Sequence, residues 1–266
     1  MATPLELQRQ ADEFRCAGRG DRAIPRYQEA IRLYTESEQL LDATECLHML
    51  GVSLIFEDRY DEGKAVLKQA LEEREKQQRV VDMARVQRDM GIAEMVMRHY
   101  LLAVELLLKS RETLLVIDSH GERGITEAKL GRLYSLTGEF SSVDECFDEA
   151  YVLIGKADNL SYLVAAHIDN AIACLERGQF GHLDNHLATA WRLLEESGQL
   201  QQQIRRKLQI YALQVRSAVN KAEWGVARSI YKQYYLNTAD GVSQGNLASL
   251  DRELGVSELP SLLSLP

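Results

Sequence analysis

The chain has 266 residues, a formal net charge of −9, four cysteines and four prolines. That length buries a core without disulfide staples, and the acidic balance argues against a surface given over to nucleic acid. No apolar run approaches the roughly 18 residues of a membrane span, so no membrane association is expected.

Cys16, Cys46, Cys146 and Cys174 stand far apart with no C-x-x-C pair. Neither a zinc site nor a redox dithiol is signalled, and free thiols place the chain in the cytoplasm. The opening MATPLELQRQADEF turns polar at once, unlike a signal peptide. Prolines at 4, 25, 260 and 266 leave the interior free of the strongest helix breaker. With abundant Leu, Ala, Glu, Gln and Arg, this predicts an all-α fold.

In chain order, one template recurs six times. RQADEFRCAGRGDRAIPRYQEA supplies Ala11, Phe14, Ala23, Tyr27 and Ala30. Forty residues on, Gly51, Leu54, Tyr60, Gly63, Leu67 and Ala70 take the same slots. Gly91, Tyr100, Ala103, Leu107 and Ser110 follow, then Gly131, Tyr134, Phe140, Val143, Phe147 and Ala150. Ala171, Cys174, Phe180, Leu183, Leu187 and Ala190 form the fifth copy. Displaced by four residues, Val215, Trp224, Ala227, Tyr231 and Tyr234 form the sixth. The units predicted are 5–38, 41–77, 80–117, 124–156, 160–196 and 200–236, with 237–266 left for a capping helix and an apolar tail. Turns fall at TESEQ, KQQRV, DSHGERG, GKADNLS and EESGQ, of which KQQRV is poor in breakers.

Each unit reads as two antiparallel helices. Small residues at Gly51, Gly91, Gly131 and Ala171 let the helices approach, and the aromatic near the start of the second helix fills the space beside the turn. No unit covers its own apolar face, so neighbours must stack.

LGRLYSLTGEF and YDEGKAVLKQALEE resemble the tetratricopeptide repeat family over residues 5 to about 236. The forty-residue period is similar to the extended repeats of kinesin light chain, LGN-type scaffolds and bacterial peptide-sensing regulators. That resemblance implies a right-handed α-solenoid of about six helix pairs, binding a peptide or helix of a partner protein on its concave face. Relatives often place Asn after the small residue of the first helix. Here those slots hold Asp12, Val52, Ile92, Arg132, Ile172 and Arg216, so that grip on peptide backbone does not carry over.

The free side of the first helices supplies the candidate groove: His48, Val52, Ile55, Arg85, Arg88, Ile92, Met95, Arg132, Ile168, Ile172, Leu175 and Arg216. An apolar lane flanked by guanidiniums suits an amphipathic helix or an extended peptide with acidic positions. Packing against neighbouring repeats is the competing role for these aliphatics. His182 and His186 share a helical face but lack a third ligand and read as ordinary exposed histidines, so no metal or cofactor is predicted. The basic run QIRRKLQ, with Arg205, Arg206 and Lys207, reads as a solvated helix face. No G-x-S-x-G, H-E-x-x-H or phosphate-loop motif occurs, so no enzyme is expected. The alternative function is self-association, with the tail SELPSLLSLP bridging copies instead of capping the last repeat.

Overall fold

Among the described residues, long segments rich in helix formers wind into twelve helices paired two by two, with Pro4 opening the first and Pro25 inside the second. The structure is a computed structural model that describes residues 2–198, 203–239 and 241–263. The pairs are α1 (Pro4–Cys16) with α2 (Gly20–Glu36), α3 (Leu40–Phe56) with α4 (Tyr60–Lys76), and α5 (Val80–Val96) with α6 (Tyr100–Leu115). They continue as α7 (His120–Thr137) with α8 (Val143–Ala157), α9 (Leu160–Glu176) with α10 (Phe180–Glu196), and α11 (Ile204–Asn220) with α12 (Trp224–Ala239). Two further helices follow, α13 (Gln244–Leu254) and α14 (Leu259–Leu263). No strand occurs among the described residues.

The period of forty carries straight into packing. Leu67, Leu107, Phe147 and Leu187 lie one period apart, and all are at most 2% exposed. So do Ala30, Ala70, Ser110, Ala150 and Ala190, all fully buried. Each large member stabilises the stack by about 1.5–3 kcal/mol through the apolar surface it removes from water. The small residues do what their spacing predicts. A Cβ on Gly51 would sit 2.7 Å from the Leu67 side chain, and one on Gly131 would sit 2.9 Å from the Phe147 ring. Ala171 is fully buried in the matching place.

Most turns between helices hold one left-handed residue. Gly18, Gly138, Gly178 and Gly198 adopt it without a steric cost. In the breaker-poor second turn Gln78 takes the same conformation at φ 56°. Repeat stacking therefore imposes the turn geometry there, against the preference of the side chain. One aromatic departs from the template. Phe140 sits in a short 3-10 turn, 47% exposed, because α8 starts only at Val143.

The first helix of each pair lines the inner wall. All six of them border one central cavity, from Arg15 on α1 to Arg205 on α11. The array has curved far enough for its ends to meet: Gln203, just before α11, reaches Cys16 at the end of α1.

Candidate functional site: the inner channel

Inside this wall lies α13. The expected cap is divided between two helices: α14 packs on α11 and α12, whereas α13 crosses the interior to reach α2 and α3. Ser243 caps α13, accepting from the Asn246 N–H at 3.2 Å, while its own N–H donates to the Gly18 carbonyl at 2.9 Å. Gly245 lets the helix meet the end of α3, since a Cβ there would lie 2.6 Å from the Glu57 carbonyl oxygen. Arg252 forms a forked pair with Asp58 at 2.9 and 3.2 Å. On the inward face Leu250 is fully buried and Glu253 accepts from Arg132, Arg205 and Gln209 at 2.9, 2.9 and 3.0 Å. Burial opposes ionisation of Glu253, but the two guanidiniums outweigh it and hold its carboxyl below the usual range.

The four arginines predicted for the groove are already paired. Arg85 pairs with Glu45 and with Asp82, each at 3.2 Å. Arg88 pairs with Asp89 at 3.3 Å and with Glu122, which also accepts from Tyr162 at 2.6 Å. Arg132, 4% exposed, reaches Asp169 at 3.3 Å as well as Glu253. His48 is fully buried with its Nε2 2.8 Å from Asp89. Burial would raise the Asp89 pKa, yet Arg88 and His48 hold it well below the usual carboxylate range. Arg216 donates to the Gly255 carbonyl at 2.9 Å and pairs with Glu258.

The aliphatic candidates fall into two cavities on either side of α13. Val52, Ile55, Ile92 and Ile168 border the central one, of about 210 Å³. Met95, Ile172, Leu175 and Arg216 border a second, of about 510 Å³, near the end of α13.

Sequence reasoning missed the acids that satisfy the arginines: Glu45, Asp89, Glu122, Asp169 and Glu253. A signal was available. Glu45 and Arg85, Glu122 and Tyr162, and Lys129 and Asp169 are each separated by forty positions, one repeat. A residue and its counterpart one unit on face each other along the inner wall, so opposite charges at that offset mark a rung between units.

Two further expectations need correction. QIRRKLQ is not a solvated face: Lys207 is 8% exposed, and Arg205 is bound by Asn246, Ser249 and Glu253 of α13. The run opens an inner helix, which turns its charges toward the channel. His186 is not simply exposed. Its Nδ1 lies 3.0 Å from Nδ1 of His167, and Tyr151 OH lies within 3.5 Å of both rings. Burial, and then the neighbouring ring, lowers the His167 pKa to about 4, and burial lowers that of His186 as well. No group of three metal-binding side chains occurs among the described residues.

No protein-family model matches the chain, and no curated protein sequence matches it. Solved structures do. A Rap protein complexed with Competence and Sporulation Factor is similar with a TM-score of 0.69 and 13% identity, over 96% of this chain and 65% of that one. This chain thus spans less than two thirds of the Rap protein's length. The nearly identical TPR-like repeats of a Podosopora anserina kinesin light chain match with a TM-score of 0.51 and 16% identity, over 74% of this chain and 99% of that one. At such identities the likeness shows the fold, which is that of a tetratricopeptide-type α-solenoid.

Proposed function

We propose that this chain is a non-catalytic protein-interaction module of the cytoplasm, whose inner channel holds a helix bearing an acidic residue. The observation that carries the reading is the seat of α13. A helix of eleven residues already lies in the channel, its Glu253 between Arg132 and Arg205. A partner helix with the same chemistry, one buried carboxylate and one apolar edge, would compete for that seat. The similar Rap protein is itself complexed with another factor, which accords with binding as the role of this fold.

Charge reversal at Arg88 or Arg132 is a poor probe, because both are buried in ion pairs of the wall. The reading is better tested in trans. A fluorescent peptide of residues 241–258 is added to the full chain carrying Arg252→Ala and Glu253→Ala, which loosen its own α13. Fluorescence anisotropy is expected to give binding at least tenfold tighter than to the unmodified chain, and none for a peptide with Glu253→Ala. No binding of the intact peptide to the loosened chain refutes the reading.

A further inference from the structure

The central cavity carries more positive charge than its own carboxylates account for. Arg15, Lys129, Arg132, Arg205 and Arg206 border it, against Asp89, Asp169 and Glu253. The acids are already engaged: Asp89 by His48 and Arg88, Asp169 by Lys129 and Arg132, and Glu253 by Arg132 and Arg205. Arg15 keeps a 3.4 Å contact to Asp12 and donates to Tyr27 OH at 3.2 Å. Arg206 has no carboxylate partner among the described residues, and its one hydrogen bond goes to Ser161 Oγ at 3.0 Å. Burial pulls its pKa below the ordinary arginine value, and Arg15 repels it further. A half-buried guanidinium in that position is costly until an anion meets it.

Three more features converge there. Helix α11 begins at Ile204 beside the cavity, with no acidic residue in its first turn and no side-chain cap, so the positive end of its dipole adds to the two arginines. Among the described residues, the Gln203 amide at its start reaches only the Cys16 sulfur, at 3.9 Å. Arg132, which borders the same cavity, has a buried Nε–H that meets no acceptor among the described residues. One side of the wall is hydrocarbon, built by Val52, Ile55, Phe56 and Ile92. A space of about 210 Å³ is small. Drug-sized ligands occupy roughly 300–1,000 Å³, whereas a cavity of about 150 Å³ accommodates benzene, so the size fits a molecule of roughly six to ten heavy atoms.

We propose that the cavity beneath α13 binds a small organic acid, its carboxylate paired with Arg206 and attracted by Arg15, its hydrocarbon body against Val52, Ile55 and Phe56. A planar carboxylate matches the guanidinium fork, and the apolar wall favours an alkyl or aryl body over an inorganic anion. The site goes beyond protein binding and stands whether or not a partner helix enters the channel. It joins the first repeat to the sixth, with Ser249 and Glu253 of α13 as its roof.

The test uses the full chain and hexanoate, with hexanamide and inorganic phosphate as controls, in isothermal titration calorimetry. Saturable 1:1 binding of hexanoate is expected, at least tenfold tighter than either control and weakened at least tenfold by Arg206→Gln. Nuclear Overhauser contacts from hexanoate to Val52 and Ile55 methyl groups are expected in the unmodified chain, a readout that stands even if the variant fails to fold. Absence of saturable hexanoate binding overturns the proposal. So does equal binding of hexanamide or phosphate, unchanged affinity in a folded Arg206→Gln chain, or the lack of those methyl contacts.

Discussion

The outer and inner walls of the solenoid use charge on different length scales. On the outer face, exposed ion pairs close within about one turn of a single helix: Arg32 with Glu29 and Glu36, Lys76 with Glu73, Arg192 with Glu196. All of these side chains are exposed, and such pairs serve hydration more than stability. On the inner wall many partners sit on different repeats or on α13, as in Lys129 with Asp169 or Arg132 with Glu253. Their side chains are largely buried, so removing one partner leaves a charge stranded out of water. Where a pair lies thus decides what it does: inside, it fastens unit to unit; outside, it keeps the surface wet.

The largest expected effect comes from stranding an inner charge. Arg132→Ala leaves Asp169 and Glu253, 2% and 7% exposed in their side chains, without their shared guanidinium. A loss of about 3–5 kcal/mol is expected in urea unfolding, with α13 released in the same step. A loss comparable to that of an outer-wall variant would erase the contrast between the walls.

A smaller effect of opposite sign is expected at Glu127, an inner-wall acid that lacks a good partner. It is 1% exposed, its Oε1 meets no donor among the described residues, and Arg111 is 3.8 Å from Oε2. Burial raises its pKa from 4.5 to about 7, despite Arg111. Because the folded state holds this proton more tightly than the unfolded one, stability falls as pH rises from about 4.5 to about 7, and the penalty is complete above that. Glu127→Gln should therefore stabilise the chain by roughly 2–3 kcal/mol at pH 8, with the gain vanishing near pH 4.5. Denaturation at both values measures it, and a pH-independent difference would count against the assignment.

The smallest change is expected outside. Arg32→Ala, on an exposed side chain, should leave the urea midpoint where it was and its salt dependence unaltered.

The fold was legible because packing repeats as the sequence does. Leu67, Leu107, Phe147 and Leu187 announce their shared burial by interval alone. The channel was less legible. Reading one helix face at a time marks Arg88 and Arg132 as inward, but Glu122 and Asp169 lie on the next unit, and their role emerges only when the period is applied to charge. The seat of α13 had no local signal. Glu253 meets Arg132 across 121 positions, a contact set by the curvature of the whole array rather than by any stretch of it.

The docking of α13 also sets an order of events during synthesis. Domains assemble from the N-terminus as the chain emerges, yet the Gly18 carbonyl and the Asp58 carboxylate find their partners in Ser243 and Arg252. The first two helix pairs must wait, and Arg132 and Arg205 of the later pairs face water, until α13 has been made and locks the coil shut like the tongue of a buckle.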